Sequence, residues 1–148
     1  MSRRSSRFNA TVVLEASPAT IPRFEDFVDG LGFLSPAERN RLKLAGGEIL
    51  DNIIKHASPL AARRIQARAS RSGDSILLGF FFRSPGFAAF ASSDGPWSTD
   101  AEPLFDPSHR RWRGIGLLMC RNLAKKVAFR PGASMDRIFL EFEPEDSP

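Results

Sequence analysis

Residues 76–82 have the sequence Ile-Leu-Leu-Gly-Phe-Phe-Phe. This apolar run limits the number of folds that the chain can adopt. The run is much shorter than the ~20 residues that cross a bilayer, and β-branched and aromatic residues favour strands. A strand without polar positions is typical of a sheet centre that is buried on both faces. The run therefore predicts a central strand that other elements of the chain must cover.

A partner strand is predicted just before this run. Across residues 64–70, polar side chains alternate with Ile65, Ala67 and Ala69, which is the period of a half-buried strand. Residues 72–74, Ser-Gly-Asp, are typical of a tight turn. The two strands therefore form a predicted hairpin, and a further strand is indicated at residues 11–14, Thr-Val-Val-Leu.

Two helices are predicted in the first third of the chain. The first places four apolar residues at helical spacing, namely Phe24, Phe27, Val28 and Leu31. The second begins at residues 35–38, Ser-Pro-Ala-Glu, which have the form of a capping box with Pro at the first helical position. It is expected to continue to about His56, because the Ser-Pro pair at 58–59 stops a helix.

The C-terminal half combines a long loop with a helix and a strand. Residues 92–113 are rich in Pro, Ser, Asp and Trp and lack periodicity, which predicts a mobile loop or lid. Residues 114–126 return to helical spacing, and a final strand alternates apolar residues around Leu140. The apolar residues of that helix stand one turn apart at Ile115, Met119, Leu123 and Val127. The order of elements predicts an α+β fold, a two-layer α/β sandwich with helices on one face of a mixed, mainly antiparallel sheet.

Length and composition indicate a single domain in the cytoplasm. A chain of 148 residues, of which 42% are hydrophobic, can enclose one core but not two. Residues 1–148 are therefore expected to be one domain, with flexible tails at 1–7 and 144–148. No stretch has the pattern of a membrane span or a signal peptide, so no membrane association is expected. Cys120 is the only cysteine, which excludes an intrachain disulfide and a cysteine zinc site, and it is expected to be buried on a helix.

The charge of the chain raises nucleic acid as a partner. There are 21 Lys and Arg against 17 Asp and Glu, which gives a formal net charge of +4. Among these basic residues, Arg3, Arg4 and Arg7 lie in the predicted N-terminal tail. A second group alternates with small or apolar residues along a predicted strand, namely Arg63, Arg64, Arg68 and Arg71. A solvated basic face is the commoner meaning of such a pattern, so nucleic acid is not the expected partner.

The second helix carries two polar side chains at the edge of its apolar surface. Glu48 and Asn52 stand one turn apart there, where a side chain can be held by the core and still face a cleft. A carboxylate and a carboxamide in that position suit a general base and a metal ligand. An ordinary solvated helix face is the alternative interpretation of the same spacing. The apolar surface consists of Leu42, Ala45, Ile49, Leu50, Ile53, Ile54 and Ala57.

A glycine pair opens the predicted late helix. Residues 113–116 have the sequence Arg-Gly-Ile-Gly, and two glycines at a helix start let a phosphate approach free backbone N–H groups at the positive end of the helix dipole. A flexible hinge that lets the helix pack tightly is the alternative interpretation.

Taken together, the two motifs resemble those of a known family. Residues 48–57, Glu-Ile-Leu-Asp-Asn-Ile-Ile-Lys-His-Ala, are followed by residues 113–119, Arg-Gly-Ile-Gly-Leu-Leu-Met. The pair resembles the bacterial anti-sigma-factor serine kinases, a branch of the histidine-kinase-like ATPase superfamily. Their helix motif is Glu-x-x-x-Asn, and their late motif is a basic residue before Gly-x-Gly. The resemblance covers roughly residues 8–143.

The resemblance implies a function and a set of site residues. Glu48 would be the base that takes the proton from a serine of an anti-sigma-factor antagonist, and Asn52 would bind the Mg²⁺ that bridges the ATP phosphates. Arg113 and the backbone of Gly114 and Gly116 would contact those phosphates. The implied protein is an ATP-dependent serine/threonine protein kinase that also binds a sigma factor and forms a homodimer.

One family motif is incomplete in this chain. The family carries Asp-x-Gly-x-Gly at the end of the central strand, where the Asp binds the adenine amino group. Here the aligned residues 82–86 are Phe-Arg-Ser-Pro-Gly, so that only Gly86 matches a motif position. Asp94-Gly95 follows about a dozen residues later, too far to occupy the strand end. A partner-switching binding module that no longer turns over ATP is therefore the alternative hypothesis.

Overall fold

The computed structural model describes residues 7–57, 64–83, 104–106, 111–113, 120, 122–130, 132 and 134–145. Five strands form one sheet, and each of its four pairings is antiparallel. Two helices pack on one face of this sheet. The predicted α+β class with helices on one face is confirmed. None of the helices in the described ranges is long and apolar enough to cross a bilayer.

The strands of the sheet follow the alternation seen in the sequence. Ile65, Leu78 and Leu140 are among the residues that point toward the helices, and each is fully buried. Residues of opposite parity, such as Leu77 and Phe139, lie on the other face and are half-buried. The bounds are β1 Arg7–Glu15, β2 Arg64–Ser72, β3 Ser75–Phe82, β6 Lys126–Arg130 and β7 Asp136–Phe142. In the sheet these strands stand in the order β1-β2-β3-β7-β6.

The two helices have the expected positions. Helix α1 spans Thr20–Asp29 and helix α2 spans Pro36–Asn52, after which Ile53–Ala57 form a π-helical segment. The predicted capping box is present, because the Glu38 N–H donates to Ser35 Oγ at 3.1 Å while the Ser35 N–H donates to Glu38 Oε1 at 2.7 Å. The π segment replaces the last α-helical turn that was predicted to reach His56.

Helix α2 approaches the sheet closely at a glycine. A Cβ atom on Gly46 would lie 2.6 Å from Phe24 Cζ and 2.7 Å from Leu78 Cδ2, so α1, α2 and β3 meet at this point. Phe24 also packs on Phe80, with ring centroids 5.6 Å apart. Glycine at this position therefore sets how near α2 can lie to the core.

We expect Gly46→Ala to lower the free energy of unfolding by roughly 1–2 kcal/mol, because overpacking a rigid core outweighs the gain in helix propensity. The neighbouring Gly47 is the matched control, since a Cβ there meets nothing within 4 Å. Gly47→Ala should raise the free energy of unfolding by about 0.5–1 kcal/mol. Urea denaturation of both variants measures the difference, and equal effects would show that α2 does not press on the core at Gly46.

The structure differs from the sequence predictions in three places. Leu77 and Phe81 in β3 are only half-buried, because the described helices cover one face of the sheet rather than both. Within the predicted loop 92–113, Leu104–Asp106 (β4) and Arg111–Arg113 (β5) pair as antiparallel strands. The rest of that loop lies outside the described residues.

The third difference concerns the late helix. Cys120, Asn122 and Leu123 are helical, but the chain then leaves the helix and the Lys125 N–H donates to the Glu141 carbonyl at 2.7 Å. Val127, predicted to lie on the helix, is therefore in strand β6. Residues 123 and 127 fit a helical period, but residues 126–130 are also able to pair with β7, and this pairing prevails.

Candidate active site

Glu48 lies on helix α2 beside the buried residues Ile49 and Leu50, and its side chain is partly shielded from water. Burial raises the pKa of Glu48, and the negative charge of Asp51 raises it further, while Lys55 opposes these effects. A carboxylate with a raised pKa is a better proton acceptor than one in open solvent. Burial therefore raises the pKa of the carboxyl group at the position predicted for a general base.

Asp51 and Lys55 form a surface ion pair next to this carboxylate. Lys55 Nζ lies 2.8 Å from Asp51 Oδ2, and the two side chains are 50% and 39% exposed. Sequence reasoning gave neither residue a role. The Asp51 charge raises the pKa of Glu48 and the Lys55 charge lowers it, although both side chains lie at the surface.

Asn52 is the last residue of α2, and its side chain is partly exposed. The backbone changes from α to π geometry directly after it, at Ile53. Short π segments inside helices occur frequently at functional sites, because they change the direction of the neighbouring side chains. Asn52 was predicted as a site residue from the sequence, but the π-helical segment after it was not predicted.

Cys120 connects the late helix to α2 near Glu48. Its Sγ lies 3.3 Å from the Ala45 carbonyl, as a thiol donor to that oxygen, and the residue is fully buried as predicted. Burial raises the pKa of the Cys120 thiol to about 12, and the nearby Glu48 carboxylate adds to this shift. This contact holds residue 120, which follows the glycine motif at 113–116 by four positions in the sequence, against the helix that carries Glu48.

Phe82 ends strand β3 on the face that the helices cover, and it is 1% exposed. The resemblance places the adenine-binding Asp of the family at this residue. A phenyl ring has no oxygen or nitrogen atom that could accept a hydrogen bond from the adenine amino group. Phe82 therefore places an apolar side chain where the family motif has a carboxylate. This is the clearest difference between the chain and the family motif.

The remaining predicted site residues are placed only in part. Arg113 ends strand β5, whose backbone pairs with β4. Gly86, Gly114 and Gly116 lie outside the described residues, as do Ser84 and Asp94. Glu48 and Asn52 therefore share the C-terminal half of α2, while the predicted phosphate contacts stay a prediction.

Among the described side chains of the candidate site, the Asn52 carboxamide is of a type that can bind Mg²⁺. No group of three or more His, Cys, Asp and Glu residues with metal-binding geometry occurs in the parts of the chain that the structure describes. Mg²⁺ commonly takes one or two protein oxygens and completes its octahedron with phosphate and water oxygens. A single carboxamide from Asn52 beside Glu48 fits that mode of binding.

Comparison with known proteins identifies the domain type. Residues 14–138 match the family model of the histidine kinase-like ATPase domain. The matched range begins in β1 and ends in β7, and it includes Glu48, Asn52 and the glycine motif at 113–116. No curated protein was found to match the chain.

A solved structure has a similar fold. The chain is similar to the crystal structure of the RsbU and RsbW domains of Rv1364c from Mycobacterium tuberculosis, with a TM-score of 0.60 and 13% sequence identity. The match covers 95% of this chain and 33% of that chain, so this protein spans about a third of the length of that structure. At this identity the likeness supports the fold of the domain.

Proposed function

The chain belongs to the histidine kinase-like ATPase domain family, and on this basis we propose that it is a bacterial anti-sigma factor that acts in the cytoplasm as a serine protein kinase. Its substrate would be a serine of an anti-sigma-factor antagonist, and its second partner a sigma factor. The observation that supports the proposal best is the raised pKa of Glu48, on the helix that also carries Asn52.

Bound ATP with Mg²⁺ would supply the phosphoryl group and the charge that stabilises its transfer. Asn52 would hold the metal through its carboxamide oxygen. Glu48 would accept the proton of the substrate serine, and its partial burial would keep water from competing for that proton. Arg113 and the backbone of Gly114 and Gly116 would contact phosphate oxygens.

A second candidate function is a partner-switching module that regulates transcription without ATP turnover. The observation in its favour is Phe82, an apolar ring where the family has an adenine-binding carboxylate. Losing a hydrogen bond to a charged group costs about 1.5–3 kcal/mol, or roughly ten- to a hundred-fold in affinity. A site weakened to that degree can keep its protein partners while losing its nucleotide.

Calorimetric titration with ATP and GTP, each with Mg²⁺, distinguishes the two candidates. If the protein is a kinase with Phe82 at the base-recognition position, we expect both nucleotides to bind weakly and within a few-fold of each other. Phe82→Asp should then raise the affinity for ATP relative to GTP. Binding of neither nucleotide would favour the module without turnover. Tight binding selective for ATP by the unaltered protein would contradict the alignment of residues 82–86.

A further inference from the structure

The sheet face that the described helices leave uncovered carries a groove over β3, β7 and β6. Its volume is about 290 Å³. The strand register places every residue that lines it on the uncovered face, and these residues are Leu77, Lys126, Ala128, Arg130, Phe139 and Glu141. The groove therefore has an apolar floor, formed by Leu77, Ala128 and Phe139, with charged side chains around it.

The cations at the two ends of the groove differ in their neighbours. Lys126 lies opposite Glu141 in β7, and that carboxylate also accepts the Ser75 hydroxyl at 3.0 Å. Arg130 instead lies opposite Arg137, and both are exposed. Like charges in direct opposition are destabilising, and neither arginine belongs to an ion pair in the part of the chain that the structure describes. A carboxylate supplied by a partner would relieve the repulsion at this end.

The uncovered face as a whole is basic, whereas the helices are not. At the outward positions of the five strands, six cationic side chains stand against two carboxylates, while α1, α2 and the π segment together carry five against six. A basic surface attracts acidic ligands over a Debye length of about 8 Å at physiological salt. The outward charges are those of Arg7, Arg64, Arg68, Lys126, Arg130 and Arg137, with Glu15 and Glu141.

The aromatic rings of this face favour a protein segment over a nucleic acid. Single-stranded nucleic acid binds to sheets by stacking its bases on open aromatic faces. Here the Arg68 guanidinium lies over the Phe81 ring at 5.5 Å. The Phe81 and Phe139 rings also meet edge to face, at an interplanar angle of 84° and with centroids 5.6 Å apart. These contacts use ring faces that a base would need.

We propose that this groove binds an extended acidic segment of a partner protein, with one apolar side chain seated over Ala128, between Lys126 and Arg130. Residues four positions apart in a strand are about 13 Å apart. The segment therefore matches the groove when one acidic residue stands two positions before an apolar residue and another stands two positions after it. The groove lies on the opposite face of the sheet from α2, so the inference does not depend on ATP or on Glu48.

Fluorescence anisotropy with labelled peptides tests the pattern of the segment. In the peptide Gly-Thr-Glu-Thr-Phe-Thr-Glu-Thr-Gly, both glutamates share a face with the phenylalanine when the chain is extended. The control peptide Gly-Glu-Thr-Thr-Phe-Thr-Thr-Glu-Gly has the same composition and charge, but its glutamates point to the other face. We expect the full chain to bind the first peptide at least about five-fold more tightly than the control. Equal affinities, or no binding of the first peptide at low salt, would overturn the proposal.

Charge reversal in the protein tests the position of the site. Arg130→Glu should weaken binding of the first peptide by about ten-fold or more, because it replaces an attraction with a repulsion. The variant also places a carboxylate opposite Arg137, so it is expected to stay folded. Arg7→Glu is the matched control, since Arg7 is exposed on the same face, opposite the uncharged Ser72. Strand β1 lies four strand spacings, about 19 Å, from β6, so Arg7→Glu should change the affinity by less than about two-fold.

A single-stranded oligouridylate is the probe for the alternative ligand. We expect it to bind more weakly than the first peptide. Tighter binding of this RNA, reduced equally by Arg7→Glu and Arg130→Glu, would indicate a nucleic-acid surface and overturn the proposal. Peptide binding that both charge reversals weaken to the same degree would overturn it too, because the net charge of the face rather than the groove would then attract the peptide.

Discussion

Replacing Glu48 with glutamine is expected to abolish phosphotransfer to a serine substrate while leaving nucleotide and partner binding nearly unchanged. The substitution removes the proton acceptor without removing volume, and a positioned general base contributes roughly 10²–10⁴ in rate. The measurement is transfer of labelled phosphate from ATP to the antagonist, with calorimetric titrations that report binding separately.

Asp51→Asn is the matched control for this experiment. It removes one carboxylate from the same helix three residues away, at a side chain that pairs with Lys55 at the surface. Because the Asp51 charge raises the pKa of Glu48, the comparison is made well above that pKa, where the rate of Asp51→Asn should stay within about two-fold of the native rate. The rate of the native protein should also rise as the pH rises through the pKa of Glu48, because below that pKa the carboxyl group is protonated and cannot accept a proton. Burial raises this pKa above its ordinary value. Native activity in Glu48→Gln would remove Glu48 from the mechanism.

Replacing Glu38 with alanine is expected to lower the free energy of unfolding by about 3 kcal/mol. The Glu38 carboxylate is 2% exposed, and it closes the α2 capping box. It also lies 2.9 Å from Arg71 Nη1 and accepts the Glu145 N–H at 2.8 Å. Alanine leaves these donors without their acceptor.

The ion pair between Asp29 and Lys43 provides the comparison. Its N···O distance is 2.8 Å, but Asp29 is 53% exposed. Asp29→Ala should therefore change the free energy of unfolding by at most about 1 kcal/mol. Chemical denaturation of the two variants measures both effects, and equal losses would mean that burial adds nothing to the Glu38 contacts.

The contacts of Glu38 also predict how stability responds to acid. Burial alone raises the pKa of Glu38, but the N–H groups of Ser35 and Glu145 and the charge of Arg71 outweigh it and leave the pKa below its ordinary value of 4.5. A group with a lowered pKa in the folded state contributes stability above its unfolded pKa and loses it as pH falls. Glu38→Gln should remove this part of the acid sensitivity below about pH 4.5.

Local features of the fold were predictable from sequence, and contacts between distant segments were not. The capping box of Ser35 and Glu38 needs only four adjacent residues, so the pattern alone identifies it. Strand β6 was missed because Val127 satisfies both the helical period before it and the strand period around it. Whether residues 126–130 form a helix or a strand depends on pairing with the backbone of β7, where the Glu141 carbonyl accepts the Lys125 N–H. Lys125 and Glu141 lie far apart in the sequence, so a local pattern does not show this contact.

The candidate site likewise combines features that could be predicted from the sequence with contacts that could not. Spacing on one helix showed that Glu48 and Asn52 share a face, because residues one turn apart lie together. Their predicted roles came from the family resemblance. The raised pKa of Glu48 depends on what buries it, and the contact between Cys120 and Ala45 joins residues 75 positions apart. The hydrophobic pattern did not predict the π-helical segment that follows Asn52.

The strand order of the sheet has a consequence for how the protein is made. Strand β7 follows the other described strands in sequence, yet it lies in the sheet between β3 and β6. During synthesis, β1, β2 and β3 emerge first and can pair in sequence, whereas β6 has no strand beside it until β7 leaves the ribosome. The five-stranded sheet is therefore completed only after residues 136–142 have left the ribosome, and a nascent chain stalled before residue 136 holds an open β3 edge for chaperones to cover.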